Sequence, residues 1–389
     1  MKKALFVTTV SGFVPQFEMH DVHLLQEMGY EVHYASNFKN PVYACDRTAL
    51  EAQGLKLHDL CIEKSPIRAD RNLQAIRYLR QIIDKEQIDM IHCHTPLGGV
   101  VARVAAHASK QDPYVIYTAH GFHFYQGAPL WNWLSYYPTE KFLAKWTDVL
   151  ITINREDFQR ARQSFRLKKN GMVKQIHGVG MDGKRFCVDP AKRAEKRKEL
   201  HIPEDAFHIV TSAELNENKN QRVILDAIAT IKQPDIYYSL CGDGPMAETL
   251  QEWICQKHLE NQVHLLGYRT DMEEILQTAD VFVFPSIREG LGMAAIEALA
   301  CGVPVVAAVN RGTREYVKHG INGLLCEAKD VEAFRIAIEK LYMDKAYCRK
   351  LAKHCRASVE QFDIEHVAQT MRDIYMFADE RIIQQKREQ

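Results

Sequence analysis

An α/β fold built from two consecutive doubly wound parallel domains is what this sequence predicts, and three observations predict it. Short apolar runs alternate with longer amphipathic segments, the pattern of strands joined by helical crossovers. The alternation stops at a turn-rich stretch, Gly178-Val-Gly-Met-Asp-Gly183, and then restarts. The 389 residues also exceed what one ordinary core supports.

Taken in order, the first half predicts strands at 4–9, 31–35, 89–93, 114–118, 149–153 and 173–177. Helices are expected between them at 17–28, 73–85, 97–109 and 156–164. The second half predicts strands at 209–213, 236–241, 263–266, 281–285 and 305–308, with helices at 221–231, 246–257, 272–277 and 293–300. From Asp330 onward the pattern is wholly helical, and 362–375 carries apolar residues at helical spacing. The expected divisions are residues 1–180, 181–362 and a closing helix, 363–389. Ligands of such sheets sit beyond the carboxyl ends of the strands, so the crevice between two such domains is the expected active site.

Composition narrows the function. Hydrophobic residues make up 46% and charged residues 26%, an ordinary globular balance. Fifty lysines and arginines match fifty aspartates and glutamates, which argues against a dedicated nucleic-acid binder. Residues 1–180 carry 22 basic and 17 acidic side chains, a lean of +5 that the remainder reverses. The ten cysteines show no CxxC pair and read as reduced thiols of a cytoplasmic protein. No HExxH or comparable spacing supports a catalytic metal, and no cofactor is expected. The apolar run after Met1-Lys2-Lys3 is too short for a signal peptide, and no stretch reaches the roughly 18 apolar residues of a spanning helix.

The densest signal is Asp280-Val-Phe-Val-Phe-Pro-Ser-Ile-Arg-Glu289-Gly-Leu-Gly-Met-Ala-Ala-Ile-Glu297. A strand ends at Pro285, and a loop carrying Glu289, Gly290 and Gly292 leads into a helix. Glycines let backbone N–H groups approach a ligand, and the helix N-terminus favours phosphate. Glu289 in the loop and Glu297 more than one turn into the helix can reach different parts of one extended ligand. Carboxylates strengthen hydrogen bonds to sugar hydroxyls. Taken alone, each glutamate would more often be a solvated surface charge; the strand–loop–helix setting favours function.

This stretch resembles the signature of glycosyltransferase family 4, whose E-x7-E motif matches Glu289 and Glu297. Leu240-Cys-Gly-Asp-Gly-Pro245, Leu266-Gly-Tyr268, Gly302-Val-Pro304 and Asn322-Gly-Leu-Leu325 agree with it. The resemblance implies the GT-B fold, with two Rossmann-like domains facing a central cleft and a last helix crossing back to the first. It implies sugar transfer with retained configuration and no metal. Glu289 would then hold hydroxyls of the donor sugar and Glu297 the ribose, while Tyr268 and Arg269 would meet the base. Gly290, Leu291, Gly292, Asn218 and Gly242 complete the implied donor set. Lys219 occupies the position that neutralises the departing diphosphate. The family normally places an arginine five residues earlier; this chain has Glu214, which leaves Arg269 or Arg288 as replacements.

In the first half, His120 of Thr118-Ala-His-Gly121 matches a histidine that faces the donor sugar. Gly12, in a first loop with one glycine where the family more often has two, is a weaker match to the glycine loop. Residues 122–146 are rich in aromatic side chains, with Lys141 and Lys145 among them. Core packing and an interfacial, membrane-facing segment are both open readings of that stretch.

The expected reaction moves a hexose or N-acetylhexosamine from a nucleoside diphosphate sugar, UDP by family frequency, to an acceptor hydroxyl. Capsular or exopolysaccharide synthesis is the implied setting. A polyprenyl-diphosphate-linked acceptor and a peripheral place on the inner face of the membrane follow from the resemblance. Two rivals stay open: a UDP-N-acetylglucosamine epimerase or hydrolase, and a non-catalytic scaffold. A Rossmann dehydrogenase is disfavoured, since no Gly-x-Gly-x-x-Gly follows the first strand.

Overall fold

The computed structural model describes residues 1–39, 44–63 and 69–388. The chain divides into two compact units, Met1–Val179 with Glu365–Gln389, and Gly180–Ile364.

The first unit is a seven-stranded parallel sheet: β1 (Lys2–Val7), β2 (Tyr30–Ser36), β3 (Lys56–Asp59), β4 (Met90–His94), β5 (Tyr114–Ala119), β6 (Val149–Thr152) and β7 (Met172–Gln175), in the order β3-β2-β1-β4-β5-β6-β7. Val7 pairs with Ala35 on one side and Cys93 on the other, so the chain reverses its direction of winding at β1/β4. β4, β5 and β6 are buried along their whole length, as expected of strands covered on both faces. Leu5, Val7, Ile91, Val115 and Leu150 pack there against helices Ala69–Glu86 and Pro96–Ala108.

β3 was not expected. It is a polar edge strand, Lys-Leu-His-Asp, with no apolar run to mark it. The first helix also starts differently, with a π-turn at Val14–Glu18 before the α-helix Met19–Glu27. The aromatic stretch divides. Phe122 and Phe124 lie in the core, whereas helix Leu130–Leu143 leaves Leu130, Trp131, Leu134 and Phe142 exposed.

The second unit is a six-stranded parallel sheet: β8 (Phe207–Ser212), β9 (Ile236–Cys241), β10 (Val263–Gly267), β11 (Val281–Phe284), β12 (Val305–Ala308) and β13 (Gly323–Cys326), in the order β10-β9-β8-β11-β12-β13. Its winding reverses at β8/β11. β13 and the charged helix Ala191–Glu199 were not expected. Asp280, at the start of β11, anchors that unit: it accepts from Arg193, from Arg197 and from the His208 amide, each at 2.7–2.8 Å.

The last helix, Ile364–Glu388, packs on the first sheet's unit through Met371, Ile374, Tyr375 and Ala378, all buried. Asp379 pairs with Lys2 and accepts from the Tyr30 hydroxyl at 2.6 Å. No described helix is long and apolar enough to cross a membrane.

Candidate active site

At a switch point the loops following two neighbouring strands leave towards opposite faces, and the crevice between them receives ligand. In the second unit those loops follow β8 and β11. They are laced together by asparagines. The Asn218 carbonyl accepts from Ile287 N at 2.8 Å, and Asn218 Nδ2 donates to Arg288 O at 2.9 Å. Asn220 Nδ2 donates to Pro285 O at 3.2 Å, and Asn310, from the loop after β12, joins in through Nδ2 to Ser286 O at 2.9 Å.

This lacing places Lys219 Nζ 2.6 Å from Glu289 Oε1. Both side chains are largely shielded, so the charged hydrogen bond works in a lowered dielectric. Lys219 keeps two further N–H donors beyond the one given to Glu289.

Glycine is required at two positions around this pair. Gly292 has φ +93°, and a Cβ there would meet Phe284 Cε1 at 2.6 Å and the Tyr316 hydroxyl at 2.9 Å. It forms the N-terminal boundary of helix Met293–Ala300, and its carbonyl accepts from the Tyr316 hydroxyl at 3.1 Å. Gly242, after β9, has φ +137°, and a Cβ would sit 2.0 Å from Ala213 O. The loops after β8 and β9 are therefore pressed backbone to backbone.

Glu297 lies on the helix that Gly292 opens. Burial pushes its carboxyl up to about 7, with Arg185 pulling down and Glu273 pushing up. Among the described residues it makes no hydrogen bond, so both oxygens remain available as acceptors. Leu291, which lies between the two glutamates in sequence, is buried. Tyr268 is 69% exposed, with its amide held by Asp243 Oδ2 at 3.2 Å. Arg269 is committed elsewhere, to Asp271 at 2.6 Å and Glu199 at 3.0 Å. Arg288 has no ion pair among the described residues.

The first unit has its own cluster at the β1/β4 switch point. His120, just past β5, lies with Nε2 3.1 Å from His94 Nδ1 at the end of β4. Glu18 Oε1 is 3.5 Å from His94 and 3.7 Å from His120. Burial raises the Glu18 carboxyl well above its usual range, and Asp21 beside it pushes the same way. Burial also raises Asp21 to about 7 and lowers His120 to about 4. A neutral His120 results. Behind it the Tyr375 hydroxyl donates to Asp21 at 3.0 Å and meets His92 Nδ1 at 2.7 Å, and His92 Nε2 meets the Thr118 hydroxyl at 2.8 Å.

Glu18, His94 and His120 offer three ligand atoms that one metal ion could share, a grouping the sequence did not suggest. A metal-bound imidazole normally donates its second nitrogen to an acceptor. His94 Nε2 is buried without a partner, which favours a neutral hydrogen-bonded cluster over a metal centre. The His92-Cys-His94 spacing at a strand end was the available sequence signal. Gly12 is buried ahead of the π-turn, and its backbone is not left-handed.

Two doubly wound sheets, each with its polar residues at the switch point, make this a GT-B glycosyltransferase, and the comparisons with known proteins agree. Residues 192–358 match the family model "Glycosyl transferases group 1" and residues 3–154 match "Glycosyl transferase 4-like". EpsD of Bacillus subtilis (strain 168), a provisionally assigned glycosyltransferase, is 39% identical over 378 residues, 96% of each chain. An Escherichia coli UDP-Gal:alpha-D-GlcNAc-diphosphoundecaprenol alpha-1,3-galactosyltransferase is 28% identical over 312 residues, 79% of this chain and 80% of that one. The crystal structure of Anabaena HepE in complex with UDP-glucose superimposes with a TM-score of 0.78 at 20% identity, covering 97% of this chain and all of that one. The chain belongs to glycosyltransferase family 4.

Proposed function

We propose that the chain transfers a hexose or N-acetylhexosamine from a UDP-sugar to a hydroxyl of a polyprenyl-diphosphate-linked glycan, in capsular or exopolysaccharide synthesis, with retention and without a metal. The observation that carries this reading is the Lys219–Glu289 bond of 2.6 Å at a switch point, with Glu297 buried on the helix that follows and making no hydrogen bond among the described residues. The UDP-glucose in the Anabaena HepE complex and the diphosphoundecaprenol acceptor of the E. coli relative support the choice of donor and acceptor.

In this reading residues 181–362 hold the donor and residues 1–180 face the acceptor. Glu297 accepts from the ribose hydroxyls. Glu289 accepts from the sugar hydroxyls while steering Lys219, whose two remaining N–H groups reach the diphosphate. Arg288 supplies the second cation. Backbone at Gly290, Leu291, Gly292 and Gly12 approaches the phosphates, and Asn218, Gly242, Tyr268 and Arg269 shape the nucleotide end. A neutral His120 donates to the sugar without adding charge. The sugar C1–O bond to the diphosphate breaks, and the acceptor oxygen bonds to C1 on the same face. The acceptor proton passes to the departing phosphate oxygen, so UDP leaves and no separate base is needed. Lys219 stabilises the charge that develops on that oxygen. The enzyme would work peripherally at the cytoplasmic face of the membrane.

The test is transfer from a panel of nucleotide sugars to a lipid-linked acceptor in the presence of EDTA. Acceptor-dependent product with retained configuration supports the reading. Free sugar or an epimer formed from donor alone assigns the chain to the hydrolase or epimerase class instead.

A further inference from the structure

His94 ends β4 fully buried, its ring stacked on Phe6 at 5.9 Å and tilted against His92 at 4.1 Å. Its two nitrogens are in unlike positions. Nδ1 has His120 Nε2 at 3.1 Å and Glu18 Oε1 at 3.5 Å. Nε2 is sealed from solvent with no hydrogen-bond partner among the described residues.

That asymmetry decides where the proton sits. A buried N–H left without an acceptor is rarer in folded proteins than an acceptor left without a donor. Two of the three states of His94 place an N–H at the sealed Nε2: the imidazolium, and the neutral ring with its proton there. Only the neutral ring protonated at Nδ1 avoids it. Its N–H then donates to His120 Nε2, with Glu18 Oε1 nearby as a longer acceptor. A nitrogen that accepts is bare, so His120 carries its own proton on Nδ1. Burial acts in the same direction, lowering His94 well below the usual histidine value and His120 to about 4.

The ring behind agrees. Tyr375 gives its hydroxyl proton to Asp21 at 3.0 Å, so across 2.7 Å His92 Nδ1 is the donor to the Tyr375 oxygen. Burial lowers His92 to about 3, which leaves its Nε2 bare to accept from the Thr118 hydroxyl at 2.8 Å. His92 and His94 therefore hold their protons on the same ring atom.

We propose that His94 is a positioning residue that fixes His120 as the Nδ1–H tautomer, so that His120 offers a ligand a hydrogen-bond donor and not a base. Nδ1 of His120 makes no hydrogen bond among the described residues, and 22% of its side chain is exposed. The inference rests on the reading of His120 as a contact to the donor sugar. It adds which atom makes that contact and what the sugar must present there: an oxygen lone pair, which a hydroxyl or carboxylate has and an ammonium group lacks. A base at this place would compete for the acceptor proton that the departing phosphate takes; a fixed N–H does not.

The test is heteronuclear NMR of the full chain carrying nitrogen-labelled histidine, without ligand at neutral pH. Signals are assigned by their loss in His94→Leu and His120→Gln. Both rings are expected to show a protonated Nδ1 and a bare Nε2. A proton on Nε2 of either ring, or an imidazolium at either, overturns the proposal. In His94→Leu the His120 signature should change. Turnover with the donor selected from the nucleotide-sugar panel should then fall about tenfold or more, its KM moving less. His94→Asn, whose amide can donate where Nδ1 does, should restore the signature and bring turnover back to within a few-fold. A leucine variant that keeps either the Nδ1–H of His120 or wild-type turnover overturns the proposal, as does an asparagine variant no better than leucine. Should neither variant fold, the wild-type spectrum decides alone. Calorimetric titration of UDP-glucose into the same wild-type sample separates this inference from the donor reading. The expected tautomers without nucleotide-sugar binding sink the donor reading and leave the assignment of His94 standing, whereas binding with other tautomers sinks this inference alone.

Discussion

Glu289 and Lys219 are 70 positions apart, and nothing in their local sequence joins them. What joins them is strand order, because β8 and β11 are neighbours in the sheet although β9 and β10 intervene in the chain. Each glutamate was legible from its motif; the bond between Glu289 and Lys219 was not. Replacing Glu289 by alanine should cost roughly 10²–10³-fold in turnover, with UDP affinity changed little. Turnover and calorimetric UDP binding on the same variant check this, and equal losses in both would contradict the division of roles. Glu297 carries a pH signature. An unfolded glutamate titrates near 4.5 and this one at about 7, so the folded chain holds an extra proton between those values. Its contribution to stability therefore falls as pH rises through that window. Hydroxyl donors from a ligand favour the ionised form. UDP-glucose affinity should rise between about pH 6 and pH 8 as Glu297 ionises, and Glu297→Gln should flatten that rise in a calorimetric pH series.

At the scale of elements, β9, β12 and helix Met293–Ala300 fall at their expected bounds, because each is a mostly apolar run with a glycine or proline near an end. β3 and β13 escaped the same reasoning. β3 is a polar edge strand with little to bury, so no apolar run marks it; β13 is apolar but short, between Asn322 and Glu327. The histidine cluster escaped for another reason: it draws on β4, β5, the π-turn and the last helix, four segments spread over the whole chain. Gly292→Ala forces a side chain into a left-handed backbone against Phe284. It should cost about 1–3 kcal/mol, read as a lower midpoint in urea. Tyr375→Phe leaves Asp21 and His92 short of a buried partner. A loss of about 1–3 kcal/mol is expected, and an unchanged midpoint would show that the network does not contribute to stability.

For the whole molecule, the two units share one construction rule and differ in what they expose. The second places a lysine, two glutamates and close-packed glycines at its switch point, chemistry suited to a diphosphate and hydroxyls. The first places neutral histidines there and, alongside, an apolar cavity under an outward-facing aromatic helix. The central claim is that the second unit binds a UDP-sugar through Lys219, Glu289 and Glu297. Calorimetric titration of UDP-glucose into the full chain in EDTA tests it most directly, repeated on Lys219→Ala and Glu297→Ala. The account predicts one site per chain in the wild type and a loss of at least tenfold in affinity in each variant. Absence of binding in the wild type, or binding in both variants as tight as in the wild type, would contradict it.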